Sequence, residues 1–395
     1  MAITSTNYTD ISYIEEVTPG TTPATPTFQI LPTKGGSPQG NITTAVSEVI
    51  RSDRQTDDLV VVDSDVAAEV NFELSYTPYK PLLTSLLQGA SAAVINISSA
   101  SDIAAAAGSP SSFTSTSTDF VAAGLKVGHF FQVAGFTVNP TENNGVFKAT
   151  SVATNVVEVS QTLVTEAAPA SVDVSATVVR NGAETPVTYS ILKRVQGANA
   201  PYYFYYNGCI ASAASFRIES GAILDGSISF VGREEDPTDT AKAGQDVDPI
   251  QAYTIMNSVS SVLEVEMTAV VGQATRFSTM DMAINNNVEA AKAVGTLGAF
   301  DLASFSLDVT ADMNIYFEDI AIYTAYKNSN SFSVGVVYED GDGNRIAISM
   351  PYCKFESLDT PIDGKDAFFM ANGTVRGLRD PVNNYMVQFS FMPAA

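Results

Sequence analysis

The sequence predicts a mainly β fold: two tandem, like domains, each with a short helix, and a small β domain inserted into the first. Three observations carry the prediction. Apolar and polar residues alternate at period two through many short runs, and Gly, Asn, Asp and Pro punctuate those runs as turns, so strands dominate and helix is minor. Strand-like strings then occur twice. Val70–Leu74 (VNFEL) is echoed by Ser304–Leu307 (SFSL), each leading into an apolar run, Tyr79–Leu87 and Ile315–Tyr326. Val187–Arg194 likewise matches Phe332–Asp340 in strand character, and each precedes a segment ending in one of the two cysteines, Cys209 and Cys353. The third observation is spacing. Phe72 and Phe305 lie 233 positions apart, Cys209 and Cys353 lie 144 apart and Gly232 and Gly377 lie 145 apart, which leaves 89 extra residues in the first copy. A duplication interrupted by the length of a small domain follows.

Residues 1–45, rich in Thr, Pro and Gly, hold little apolar periodicity beyond a short strand near Phe28–Leu31; they read as an extended arm toward a neighbouring subunit, or as a loose tail. Ser47–Val62 mixes charges ahead of a Val run, the pattern of a loop feeding a strand. The first domain is assigned to 46–94 and 186–235. Within it Val70, Phe72, Leu74 and Tyr76 alternate with Glu69, Asn71, Glu73 and Ser75, a half-buried strand. Pro78 and Pro81 then open a helix whose Leu82, Leu83, Leu86 and Leu87 share one face, ending at Gly89, and Ile315–Tyr326 takes the corresponding place in the second copy. Residues 95–185 carry short alternating runs, Gly128–Phe136, Gly145–Val152 and Val156–Val164, with turns at Asn139-Pro140 and Asn143-Asn144-Gly145. This is the pattern of a small antiparallel β domain, and its Ser/Thr-rich flanks suit a decoration on the outside. Arg233–Gln251 has six acids, two bases and two prolines, which predicts a linker or long surface loop between the copies, taken as 236–255, before a second domain over 256–395. There Asp340–Asn344, Asp363-Gly364 and Asn372-Gly373 read as hairpin turns, and Tyr385–Phe391 as a closing strand.

At 395 residues the chain suits two or three domains, and 45% hydrophobic content excludes wholesale disorder. No apolar run approaches the roughly 20 residues of a membrane span. MAITSTNYTD has neither a basic start nor an apolar stretch, so no secretory signal is read and folding in a cytoplasm is expected. Two cysteines at equivalent places in two copies belong to two separate cores, as buried free thiols. The single histidine, His129, beside Phe130 and Phe131, reads as a structural side chain. Glu339–Asn344 (EDGDGN) imitates a calcium loop, but Arg345 stands where its glycine should be and Pro351 where its last glutamate should be, so a hairpin tip is expected. No nucleophile elbow, P-loop or dinucleotide fingerprint occurs, and among 43 acids any chosen carboxylate pair is uninformative. No catalytic, cofactor-binding or metal-ligating residue is assigned, no cofactor is expected, and the chain reads as a non-enzyme. Its formal charge of −23 is the opposite of the cationic footprint of a nucleic-acid binder. Either solubility or a surface that must not hold DNA accounts for it.

Glu15–Thr33 (EEVTPGTTPATPTFQILPT), Ser47–Asp58 (SEVIRSDRQTDD) and Val70–Leu87 (VNFELSYTPYKPLLTSLL) resemble the major tail tube protein of long-tailed, siphovirus-type bacteriophages. Asn314–Ala325 (NIYFEDIAIYTA) and Ile346–Ser357 (IAISMPYCKFES) also look like that family, so the resemblance covers the chain outside the insert. It implies tail-tube-type β-sandwich or barrel domains whose strands join those of neighbours in a closed ring, with rings stacked into the channel for DNA during ejection. It also implies a structural virion protein of the phage tail, assembled in the bacterial host cytoplasm. The implied partners are further copies of itself, the tape measure, terminator and tail-tip proteins, and DNA passing through without specific binding; no membrane span is implied. If a ring has six tube-domain positions, two domains per chain complete it as a trimer with pseudo-sixfold symmetry. A hexamer with the second copy outside the inner barrel is the alternative. An acidic lumen would then repel phosphate over about one Debye length, roughly 8–10 Å. The competing reading is a β-rich surface-binding or adhesin module whose insert binds glycan or protein; the lack of a signal peptide and of tryptophan counts against it.

Overall fold

Alternation puts Val66, Ala68, Val70 and Phe72 on a buried face and Ala67, Glu69 and Asn71 on an open one, and the rule holds through both halves of the computed structural model. The structure describes residues 5–89, 91–182, 186–196, 201–268, 276–362 and 364–394. Numbering only the elements of the two repeats, the first half supplies β1 (Thr9–Glu15), β2 (Gln39–Val46), β3 (Leu59–Glu73), α1 (Lys80–Leu86), β4 (Thr188–Val195), β5 (Tyr202–Glu219), β6 (Asp225–Gly232) and β7 (Glu234–Thr238). The second supplies β8 (Val262–Thr268), β9 (Phe277–Asn285), β10 (Asp308–Tyr316), α2 (Ala321–Lys327), β11 (Phe332–Glu339), β12 (Arg345–Asp359), β13 (Met370–Gly377) and β14 (Gln388–Met392).

Pairing repeats element by element. The antiparallel order β3–β6–β5–β4–β1 recurs as β10–β13–β12–β11–β8. β7 extends the ladder along the first part of β5, and β14 does the same along β12. Even the bulges correspond, Ala211/Ala213 against β6 and Phe355/Ser357 against β13. Cys209 stands opposite Tyr189 and Cys353 opposite Phe332, and each buried thiol donates to a carbonyl, that of Tyr206 at 3.4 Å and of Phe332 at 3.0 Å. The cysteines therefore mark the register between the halves, but they do not lie in two separate cores. β5 pairs directly with β9, from Ala213 opposite Asn285 to Glu219 opposite Thr279, and this junction fuses the halves into one sheet over one apolar core.

Several expectations need correction. Val66 faces Gly232, and the counterpart glycine, Gly377, packs on Val309, so β3 corresponds to β10 at a spacing of 243 and Phe72 to Ile315 rather than to Phe305. Against the cysteine spacing of 144, the first half carries 99 extra residues rather than 89. The SFSL string misled because Phe305 lies in the β9–β10 connection, exposed, where nothing constrains it to the pattern of a core strand. Ile315 and Tyr316 end β10, and the helix begins only at Ala321. The N-terminal segment is not an arm: β1 pairs with β4, and Thr27–Ile30 folds back on β1, because Ile11 and Tyr13 alternate into the core. Nor is 236–255 a loose linker. β7 is held by backbone hydrogen bonds to β5, and Asp246–Asp248 pairs in parallel with Thr27–Gln29. Asn372-Gly373 is strand, not turn; a Cβ on Gly373 would come within 2.9 Å of Leu358 and 3.1 Å of Phe355, so the glycine lets those side chains close over β13. Asp363 lies outside the described residues. Asp340–Asn344 does form the β11–β12 turn, the Asp340 carboxylate accepting from the Asp342 and Asn344 amides at 2.9 and 2.8 Å.

The insert folds around a cluster of rings, among them Phe113, Phe131 and Phe147, between antiparallel strands running from Ser91–Ser99 to Val172–Arg180. It is more than a decoration. Thr177–Arg180 pairs with Gln388–Phe391 of β14, and Val337, Ala347 and Met392 of the second half complete the insert's core. Chain entry and exit lie together: the Gly182 amide donates to the Leu87 carbonyl at 3.1 Å, and Gly89 sits so close to the Arg180 carbonyl that a Cβ there would collide with it.

Candidate functional surface

Linked by the β5–β9 junction, eight strands run in the order β2–β3–β6–β5–β9–β10–β13–β12, every neighbour antiparallel. One face of this sheet is the core, built by Val70, Phe72, Phe216, Ile228, Met280, Met282, Val309, Met313 and Val375. The other face is polar and open through both halves. An antiparallel sheet tolerates this asymmetry because alternate side chains satisfy each environment.

On that open face alternation places a series of carboxylates, among them Asp65, Glu69 and Glu73 on β3, Asp225 on β6, Glu219 on β5, Asp281 on β9, Asp308 and Asp312 on β10, Glu356 and Asp359 on β12. The same strand segments carry three bases, Arg217, Lys354 and Arg376. Both arginines are clamped by acids: Arg376 by Glu356 at 2.7 Å and Asp308 at 2.9 Å, Arg217 by Glu219 at 2.8 Å and, across the junction, Asp281 at 3.8 Å. The hydrogen bond that Arg376 donates to Glu356, with Asp308 beside it, holds the guanidinium above its ordinary range, and Asp225 at 2.9 Å does the same for Lys34 at the margin. Exposed pairs of this kind add little stability. Their consequence is electrostatic: the cations are already engaged, and the surplus of negative charge faces outward. Hydroxyls fill the gaps, with Ser215 and Ser227 at 2.9 Å and Thr374 donating to Asp312 at 2.6 Å.

The other groups singled out by the sequence hold structure. His129 is fully buried, its Nδ1 accepts from the Lys126 amide at 3.3 Å, and no described group reaches Nε2. Burial first, then the neighbouring Arg180 and Lys126 charges, bring its pKa down to about 3. Burial likewise raises both cysteine thiols, which suits packing rather than nucleophilic chemistry. Two insert carboxylates that sequence reasoning passed over are tied into loops. Asp102 accepts from Ser115, Thr116 and Thr118 hydroxyls and lies far below the usual carboxylate range for that reason. Glu166 is raised by burial but brought down to about 2 by the amides of Val138, Asn139 and Thr137 and the Asn143 side chain. Among the described residues no three His, Cys, Asp or Glu side chains gather as a metal-holding group, and no helix is long and apolar enough to cross a membrane.

Which acids share a face was readable from their alternation with Val70, Phe72 and Ile315; the continuity of that face across two halves was not. Compared with known proteins, the chain matches the family described as phage tail tube protein over residues 6–391. No curated protein matches it.

Proposed function

The chain belongs to the phage tail tube protein family, and from that premise we propose that it polymerises into stacked, closed rings whose wall is the eight-stranded sheet, with the open acidic face lining the channel for DNA. The observation that carries this reading is a continuous sheet, polar on one side, whose two margins, β2 and the Ser357–Asp359 end of β12, have no strand on their outer sides among the described residues. Open edges invite strand pairing, and closure into a barrel removes them. Eight strands per chain and two like repeats favour a trimeric ring of 24 strands with pseudo-sixfold symmetry. We read residues 46–94 with 186–235, and 256–395, as the two ring positions, with the N-terminal strands and β7 belonging to the first and the insert packed against the second. The role is structural, in the virion tail, with the other tail components as partners.

Acids outnumber bases on the face more than threefold, and the arginines among those bases are already paired. Phosphate passing within about 8–10 Å meets repulsion and finds few free cations. Negative-stain electron microscopy of the purified chain should show tubes of stacked rings; stable monomers at high concentration would sink the assembly reading. Replacing Glu69, Asp281 and Asp312 by lysine should leave tubes intact and slow DNA ejection severalfold, more at low salt. Unchanged ejection would remove the role of the acidic wall while leaving the ring.

A further inference from the structure

The β5–β9 junction is a contact between two repeats inside one chain, and the same strands recur at the chain's two free edges. On β5 the outer side of Ala213–Glu219 is occupied by β9. On β12 the equivalent stretch begins at Ser357, fixed by the matching bulge 144 residues on, and among the described residues it pairs with β13 alone. At the opposite edge, Gly35–Asn41 lies along β3 as β9 lies along β10. Gly35 faces Asn71, Gly36 faces Val70 and Asn41 faces Asp65, just as Thr279 faces Asn314, Met280 faces Met313 and Asn285 faces Asp308, a constant spacing of 244 on the outer strand and 243 on β3 and β10. No described strand pairs with the other side of that stretch, where the Pro38 carbonyl accepts from the Lys193 amine and the Tyr206 hydroxyl, both at 2.9 Å.

We propose that successive copies of the chain join β12 to the strand containing Gln39–Asn41 in the register that β5 and β9 display internally. This rests on the ring reading above and goes beyond it by fixing the rungs. Ala213 opposite Asn285, Ala214 opposite Ile284 and Ser215 opposite Ala283 become Ser357 opposite Asn41, Leu358 opposite Gly40 and Asp359 opposite Gln39 of the next copy. The chemistry fits each rung. Ser357, Asp359, Gln39 and Asn41 are all exposed, and no two like charges meet across the strands. Leu358 points to the core side, where Gly40 has no side chain of its own and the Glu235 side chain fills the space that a Cβ there would take. Beyond the last rung, Ile362 is the counterpart of Ile218; Ile218 is 5% exposed where the internal junction runs past it, and Ile362 is 90% exposed at the free edge.

The same template places the long β2–β3 hairpin. Inside the chain, the β9–β10 connection leans back on the preceding repeat, through Lys292 with Asp65 at 2.6 Å and Arg233 with Asp301. The β2–β3 hairpin therefore leans across the β10–β13 region of the adjoining copy, covering Ile42, Val46 and Leu59–Val62, which one chain leaves exposed on both of its strands.

Ser357→Cys combined with Asn41→Cys in the full chain tests the register, because directly opposed residues on antiparallel strands stand within disulfide reach. Oxidised assemblies should run on a non-reducing gel as a covalent ladder that ends at trimer, and neither single variant should crosslink. Asp359→Cys with Gln39→Cys should behave alike, and Ala213→Cys with Asn285→Cys should close within one chain as the positive control. A ladder reaching hexamer supports the junction and overturns the trimer. Tubes that form without crosslinks, while the control oxidises, overturn the junction; failure of the wild-type chain to form rings at all overturns the ring reading instead. Hydrogen exchange on the unsubstituted protein gives an independent readout: amides between Ser357 and Asp359 should slow at least tenfold on assembly, and unchanged exchange would overturn the register.

Discussion

β7 and β14 occupy one place in the two repeats, each extending the ladder along the first part of the long strand, yet they are built in opposite ways. β7 reads Glu-Glu-Asp-Pro-Thr, largely open to solvent, with no described strand on its outer side. β14 reads Gln-Phe-Ser-Phe-Met, is buried throughout, and carries Thr177–Arg180 of the insert on its outer side. An exposed strand edge must be blunted or covered. The first repeat blunts its edge with charge and with Pro237, which has no amide to donate; the second covers its edge with an inserted domain. The neighbouring positions diverge in step. Arg194, paired with Asp10 at 2.8 Å, and Tyr203 face each other across β4 and β5 where the second repeat has Val337 and Ala347 under the insert. The lesson is that the insert is the outer wall of the second repeat, whatever else its surface does.

Removing the insert should break the comparison most severely. Joining Gly89 to Gly182 is geometrically clean, since they already touch, but it uncovers Val337, Ala347 and Met392 and frees the β14 edge. The shortened chain is expected to aggregate on expression. Val337→Arg with Met392→Glu, which gives the second repeat the polar outer wall of the first, should restore much of the soluble fraction, measured by sedimentation of lysates. A soluble, monodisperse deletion without those changes would show that the cover is dispensable.

Next in size is the stem. Gly89→Ala drives a methyl group into the Arg180 carbonyl, a backbone atom that cannot swing aside. A cost on the order of 3 kcal/mol is expected for such overpacking. It should appear in hydrogen exchange as faster opening of Val172–Arg180 and β14 together, with β7 unchanged.

Acid sharpens the comparison by loosening only the covered repeat. His129, with its folded pKa near 3 against an ordinary 6.5, stays neutral in the native insert while the unfolded chain takes up a proton. Stability from this group is complete above pH 6.5 and falls as pH drops toward 3, by about 1.4 kcal/mol per pH unit. Lowering pH from 7.5 to 5.5 should therefore cost about 1.4 kcal/mol in the insert. His129→Phe should remove that slope in thermal melts; a slope unchanged by the substitution would assign it elsewhere.

Much of this was legible beforehand. The strand alternation around Phe72, the leucine face of α1, the duplication and the cysteine register all come from local periodicity, which the sequence carries directly. What was not legible depended on non-local pairing. β1 is a strand because β4 lies beside it, and its apolar signal, Ile11 and Tyr13, is too short to stand out. β7 looked like a linker because an edge strand protected by acids and proline has the composition of a loop. The acidic face was visible strand by strand, but that it runs unbroken through both repeats follows only from the β5–β9 junction.

The finest contrast lies at the two glycines that first suggested the repeat. Gly232 and Gly377 hold equivalent places, neither with a positive φ, so each tolerates a side chain as far as backbone conformation goes. Their surroundings differ. A Cβ on Gly232 would lie 2.8 Å from both Cys209 Sγ and Val66 Cγ1, whereas on Gly377 its nearest neighbours are Val309 at 3.2 Å and Met350 Sδ at 3.4 Å. Gly377→Ala should be close to neutral, since lost freedom in the unfolded chain offsets a contact with Val309 that a shift of a few tenths of an ångström relieves, Met350 standing at ordinary contact distance. Gly232→Ala meets a branched valine and a buried thiol already bonded to the Tyr206 carbonyl, and should cost about 1–2 kcal/mol. Adding Cys209→Ala should recover part of that loss, giving a coupling visible in a double-mutant cycle by thermal denaturation. If both glycine variants cost the same, or if Cys209→Ala gave no recovery, the two repeats would be packed alike at this point, and the divergence between them would be confined to their outer walls.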